Sequence, residues 1–193
     1  MSDKNIILTG FMGTGKTTVG KLLANQLRYK FVDTDETIMS RCNQTITEIF
    51  HTHGEAAFRQ MERDLALELA QQDRLIISTG GGMMLDSVNV DTLEGKNTHC
   101  CITKGSNRGA SKTKGIIVCL VADPDAIIAR VTGDNTIERP LLKVAEPKSR
   151  IAKLLKERKK AYARFIQVDT TGRTPQGVCR AVMELLNMNT HTN

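Results

Sequence analysis

Short apolar runs recur along the chain, separated by longer stretches in which apolar residues return every three or four positions. Ile6–Thr9, Phe31–Asp33, Leu75–Ser78, Ile116–Val121 and Phe165–Val168 have the length and β-branched content of strands buried on both faces. Between them, Val19, Leu22, Leu23 and Leu27 behind Lys16, and Phe58, Met61, Leu65 and Leu69 behind Gly54, form the stripes of helices packed on a core. Helix starts are marked by a capping box at Thr45-Ile46-Thr47-Glu48 and by proline after a capping residue at Asp123-Pro124 and Thr174-Pro175. Strands alternating with helices predict an α/β fold, a mostly parallel five-stranded sheet flanked by helices on both faces. Two stretches break the rhythm. Gly133–Pro147 reads as a long loop between two helices, and Asn97–Lys114 is polar and rich in Gly, Ser and Lys. The first is expected to be a lid, the second a disordered insertion.

A length of 193 residues with 40% hydrophobic content suits one domain covering 1–193. No run approaches the roughly 18 apolar residues of a membrane span, and Met1-Ser2-Asp3-Lys4 leads directly into a strand, so a cytoplasmic protein without a membrane partner is expected. Five scattered cysteines argue against a disulfide framework, and His99-Cys100-Cys101 lacks a second pair at zinc-ligand spacing. The net charge of +6 is concentrated: Lys96, Lys104, Arg108, Lys112 and Lys114 occur with no acid among them. With 4% aromatic residues and no Trp there is little for base stacking, and nucleic acid is not an expected partner.

Chemistry enters directly after the first run, where Gly10-Phe-Met-Gly-Thr-Gly-Lys-Thr17 has the glycine spacing of a phosphate-binding loop between a strand and a helix. Glycines 10, 13 and 15 let backbone N–H groups point inward onto a triphosphate, Lys16 can reach the β- and γ-phosphates, and the Thr17 hydroxyl can ligate Mg²⁺. At the end of the second run stands Asp33-Thr34-Asp35. If strand geometry persists, both carboxylates face one side, one toward a Mg²⁺-bound water and the other toward an acceptor hydroxyl. Alternatively Asp35 is a helix cap. Arg59 and Glu62 are three apart and can pair, either within a site or as a surface ion pair. Ser78-Thr79 leads into Gly80-Gly81-Gly82, where missing side chains permit close approach of a ligand. Arg139, in Arg139-Pro-Leu-Leu142, is placed to close over phosphate charge. Arg158 taken alone reads as part of a solvated basic helix face.

In order and spacing these segments resemble the shikimate kinase family, over nearly the whole chain apart from Asn97–Lys114. The resemblance implies a P-loop NTPase, nucleoside-monophosphate-kinase-like three-layer fold. It also implies transfer of the ATP γ-phosphate to the 3-hydroxyl of shikimate, with Mg²⁺, one ion per subunit, as cofactor. Carried over, Asp35 binds the acceptor hydroxyls and acts as base, Arg59 and Arg158 hold its carboxylate, and Gly80, Gly81 and Gly82 line the same pocket. Gly13, Thr14, Gly15, Lys16, Thr17 and Thr18 hold the nucleotide phosphates together with Arg139. Thr17 binds the metal, helped through water by Asp33, and adenine packs near Arg130, Arg173 and Pro175. The acceptor segment is about 33–62, and a monomer is expected. Lys160 replaces a proline that the family often carries before the tyrosine that is Tyr162 here. The insertion, which precedes a strand, is expected at the sheet edge away from the phosphates, without effect on catalysis. Two other readings compete: a gluconate-type kinase, and a regulatory NTP-binding protein whose insertion recruits an anionic partner.

Overall fold

The computed structural model describes residues 3–96, 114–132 and 147–190. Its five strands are β1 (Ile6–Gly10), β2 (Lys30–Asp33), β3 (Leu75–Ser78), β4 (Ile116–Val121) and β5 (Ile166–Asp169), all parallel in the order β2-β3-β1-β4-β5. The helices among the described residues are α1 (Lys16–Leu27), α2 (Thr34–Cys42), α3 (Ile46–Leu69), α4 (Ser87–Leu93), α5 (Pro124–Thr132), α6 (Pro147–Tyr162) and α7 (Pro175–Thr190).

Successive strand residues face opposite ways, and this divides the core in two. Ile6, Leu8, Ile76, Val118 and Leu120 pack under α1 and α7 with Leu23, Val178 and Val182. Ile7, Ile77, Ile117 and Cys119 face α3 and α4 with Phe58, Leu65 and Leu93. A smaller apolar cluster of Phe11, Ile127, Val131, Ile151 and Leu154 joins the loop after β1 to α5 and α6. From central β1 the chain runs to one side for β2 and β3 and to the other for β4 and β5. The crevice at the carboxyl ends of the strands is therefore where such a sheet can take a ligand.

Local signals were accurate where the interaction is local. Thr45 and Glu48 form the reciprocal capping box, and the Thr174 hydroxyl accepts from the Gly177 N–H at 3.2 Å. A helix does start at Gly54: the run α3 joins two helices at that residue, whose φ of 78° and ψ of 167° are not helical, and the earlier one opens on the Thr45 cap. One expectation needs correction, since basic charge is not local to Lys96–Lys114: α6 carries seven Lys and Arg against Glu157 alone, with Arg150, Lys153, Lys156, Lys159 and Lys160 exposed.

The expected lid and insertion fall outside the described residues, except Pro147 and Lys114. The insertion's flanks are described: the Lys96 N–H donates to Asp91 O, Gly115 N–H to Leu93 O and Ile116 N–H to Asn5 O. Gly115 therefore enters β4 at its amino end, the edge opposite the loop that follows β1. No helix among the described residues is long and apolar enough to cross a membrane.

Candidate active site

Strand β1 ends in Gly10 with φ 132°, a conformation open to glycine, and a Cβ there would collide with the Leu120 carbonyl of β4. Gly13 (φ 74°) and Gly15 (φ 92°) continue the left-handed path, and α1 starts at Lys16. The Thr14 hydroxyl donates to Phe11 O at 2.8 Å, and Lys16 Nζ donates to Gly10 O and Phe11 O at 3.0 Å each, closing the loop on itself. Backbone donors at the start of a twelve-residue helix, with an ammonium beside them, make a cavity suited to phosphate oxygens. Arg130 of α5 ties this loop to the turn after β5, donating to Gly13 O at 3.2 Å and to Thr170 through both Oγ1 and the carbonyl. Arg173 and Pro175 stand exposed in and beyond that turn, and Thr18 is exposed on α1.

At the next strand end the expected geometry changes. Strand β2 stops at Asp33, whose Oδ1 accepts from the N–H groups of Asp35 and Glu36 and so caps α2. Its Oδ2 accepts from the Thr17 hydroxyl at 3.0 Å. Asp33 and Asp35 are thus not two same-side strand residues, because the chain enters a helix between them. The capping alternative for Asp35 also falls, since Asp33 fills that position. Asp35 lies in the first helical turn beside Gly80. Burial, and then the neighbouring Asp33 carboxylate, push its pKa up to about 6 against the opposing pull of Lys16 and Arg59.

Arg59 projects from α3 between two carboxylates, Glu62 at 2.8 Å and Glu55 at 2.9 Å. Glu62 is 1% exposed, which rules out an ordinary surface pair. Burial raises the Glu62 pKa despite Arg59, whereas burial works to lower Arg59 and is outweighed by Glu62 and Glu55. Arg158 is not part of the solvated face. It shares an inward stripe with Ile151, Leu154 and Tyr162, donates to Gly81 O at 3.0 Å and lies over the Phe11 ring at 5.5 Å.

The three glycines after β3 are where these side chains meet, and each abuts a different one. A Cβ at Gly80 would strike the Asp35 carboxylate, one at Gly81 would come within 3.1 Å of Arg158 Nη1, and one at Gly82 within 2.7 Å of Arg59 Nη1. Gly82 has φ −103°, so there the need is for space and not for backbone freedom. The missing side chains make room for the protein's own functional groups as much as for a ligand.

The structure therefore brings Lys16, Thr17, Asp33, Asp35, Arg59, Gly80–Gly82 and Arg158 to one crevice, with Arg130 at its nucleotide-loop end. Arg139 lies outside the described residues. Thr34, a residue passed over between its two aspartates, is fully buried and accepts from the Gly80 N–H at 2.9 Å. Its sequence signal was only its place within Asp-Thr-Asp. Cys119, beneath Lys16, is inert as a nucleophile, since burial pushes its thiol up to about 12.

A phosphate-type loop facing a pocket of one carboxyl and two guanidinium groups, on a 2-3-1-4-5 parallel sheet, defines a P-loop kinase of a small molecule. The family model for shikimate kinase matches residues 12–187, and the chain belongs to that family. A shikimate kinase of Caldanaerobacter subterraneus subsp. tengcongensis is 36% identical over 93% of this chain and 94% of its own length. Among solved structures, the shikimate kinase of Acinetobacter baumannii in complex with shikimate superposes with a TM-score of 0.80 at 30% identity, covering 96% of this chain and 94% of that one. A gluconokinase of Sinorhizobium meliloti covers 99% of this chain and 98% of its own at TM-score 0.56 and 15% identity, a likeness of fold alone.

Proposed function

We propose that this protein transfers the γ-phosphate of ATP to the 3-hydroxyl of shikimate, releasing ADP and 3-phosphoshikimate, in the cytoplasmic route to aromatic amino acids. The observation that carries the reading is the convergence of Asp35, Arg59 and Arg158 on Gly80–Gly82 beside the nucleotide loop. Two guanidiniums suit one carboxylate through charge-assisted hydrogen bonds, and a carboxylate among backbone donors suits a set of ring hydroxyls. Asp35 accepts the proton of the 3-hydroxyl as its oxygen bonds to phosphorus and the bond from phosphorus to the β,γ-bridging oxygen breaks. Gly13–Thr18 and Lys16 hold the phosphates, and Arg139 meets the charge on the transferring group. Adenine packs at Arg130, Arg173 and Pro175.

The oxygen donors Thr17 and Asp33, whose side chains lie 3.0 Å apart, fit a hard cation with retained waters. They would hold one Mg²⁺ per subunit, Asp33 through water, and the ion supplies neutralisation of phosphate charge. The chain works as one kinase domain and as a monomer, with 33–62 as the acceptor segment and 133–147 as the lid. The insertion 97–114, whose flanks join at the far edge of β4, takes no part in the chemistry.

The test is a coupled ADP-release assay with Mg²⁺-ATP and either shikimate or gluconate. Turnover with shikimate, exceeding that with gluconate by at least about a hundredfold, is expected from a pocket whose carboxyl and guanidinium groups are held at separations that suit a rigid ring acid. Turnover of gluconate in preference would overturn the assignment.

A further inference from the structure

The segment Gly80–Leu85 is fastened to parts of the chain far from it in sequence. Thr34 takes the Gly80 N–H, Asn89 Nδ2 donates to Met83 O at 3.0 Å, and Arg164 Nη2 donates to Met84 O at 2.7 Å. The central attachment is the Gly81 carbonyl, which receives two donors from α6, Tyr162 Oη at 2.7 Å and Arg158 Nη1 at 3.0 Å. Tyr162 is 5% exposed and packs with Ile7, Phe58, Cys119 and Phe165 in the core beneath the site. Its ring is fixed by that packing, so its hydroxyl is a rigid reference for the carbonyl. Arg158, one turn earlier on the same helix, has the long side chain that the proposed function assigns to the acceptor's carboxylate.

We propose that Tyr162 is a positioning residue for the acceptor site: its hydroxyl fixes the Gly81 carbonyl, and with it the Gly80–Gly82 surface on which Arg158, Arg59 and Asp35 are seated. A carbonyl has two lone pairs. With Tyr162 on one of them, Arg158 can turn its guanidinium toward an incoming carboxylate while Gly81 O keeps a partner in its half-buried place. Without the hydroxyl, Arg158 is the side-chain donor left to that oxygen among the described residues, and turning it to the acceptor would leave the carbonyl short of a partner. Tyr162 touches neither reacting atom, and the nucleotide loop is built without it. Its influence therefore falls on acceptor binding and spares ATP.

The inference rests on the proposed function, and two measurements keep their failures apart. Tyr162→Phe retains the buried ring and removes only the oxygen. Its KM for shikimate is expected to rise about tenfold, with kcat and the KM for ATP within about twofold of wild type. In the Arg158→Ala background the same substitution should add less than about twofold, because the residue acts through Arg158. Independently of any acceptor, amide hydrogen exchange over Gly80–Leu85 should quicken at least about tenfold in Tyr162→Phe while the peptide covering β1 and the nucleotide loop is unchanged. Unaltered exchange at Gly80–Leu85 would overturn the inference whatever the acceptor, as would a change in the KM for ATP matching that for shikimate. Wild-type protein inactive on shikimate, with the exchange effect present, would instead overturn the proposed acceptor.

Discussion

The two halves of the crevice are made in opposite ways. The nucleotide half is nearly contiguous: Gly10–Thr18 follows one strand and opens one helix, and its donors belong largely to the backbone. The acceptor half is assembled from side chains on α2, α3 and α6 that meet over three glycines after β3, with one tie spanning 81 positions, from Tyr162 to Gly81. Phosphate asks for a ring of N–H groups, which any sequence that can bend supplies. A particular hydroxy acid asks for charges at fixed separations, which requires the whole fold. On the proposed function, selectivity is carried by long-range contacts and phosphate binding by a local one, and perturbations of the two should separate.

The largest effect that can break this comparison is at Asp35. Asp35→Asn keeps the shape and removes the proposed base, so kcat is expected to fall by about 10²–10⁴ with the KM for ATP within a few-fold of wild type, in steady-state assays of both substrates. The same residue sets a pH dependence with a definite sign. Its carboxyl ordinarily titrates at 3.8 and is raised to about 6 in the fold, so the folded state favours the neutral form. The contribution to stability is complete below pH 4 and is lost as pH rises through about 6. Since Asp35 is only partly buried, the expected loss is about 1–3 kcal/mol. Asp35→Asn should accordingly be more stable than wild type by that amount in urea unfolding at pH 8, with the two curves converging below pH 4. Wild-type kcat/KM should decline as pH falls through about 6, where the free enzyme's base becomes protonated. Equal stabilities at pH 8 would show that the carboxyl is not held in an unfavourable place.

A smaller effect sharpens the comparison inside the acceptor half. Gly82→Ala places a methyl 2.7 Å from Arg59 Nη1, the far end of a long side chain that can shift. The expected outcome is a rise of about tenfold in the shikimate KM with little change in kcat. Gly80→Ala presses on the short, less mobile Asp35 carboxylate and should lower kcat more than it raises KM. If both substitutions gave the same split, the pairing of each glycine with its own side chain would be wrong.

Most of the fold was legible in sequence because its signals are local or periodic: five apolar runs, helical stripes, and caps such as Thr45 with Glu48. The nucleotide loop was legible for the same reason. At Asp33 legibility ended. Whether a strand stops or continues there depends on its carboxylate finding the Asp35 and Glu36 N–H groups, and extrapolating the alternation carried both aspartates to one side. Arg158 illustrates a signal that was present but masked. Ile151, Leu154 and Tyr162 define an inward stripe that includes position 158, yet the surrounding lysines made the whole run look solvated. The burial of Glu62 was masked in the same way: it falls on the stripe of Phe58, Leu65 and Leu69, yet a Glu three positions from an Arg is common on exposed helices. The matching of Gly80, Gly81 and Gly82 to Asp35, Arg158 and Arg59 exists only in three dimensions.

The central claim is that Arg59 and Arg158 select the acceptor by its carboxylate. The most direct measurement is kcat/KM for shikimate against its methyl ester, which keeps every ring hydroxyl and removes the charge. A loss of at least about a hundredfold for the ester in wild type, shrinking to less than about fivefold in Arg59→Ala/Arg158→Ala, is the predicted result. An ester phosphorylated as efficiently as the acid by the wild-type protein would contradict it.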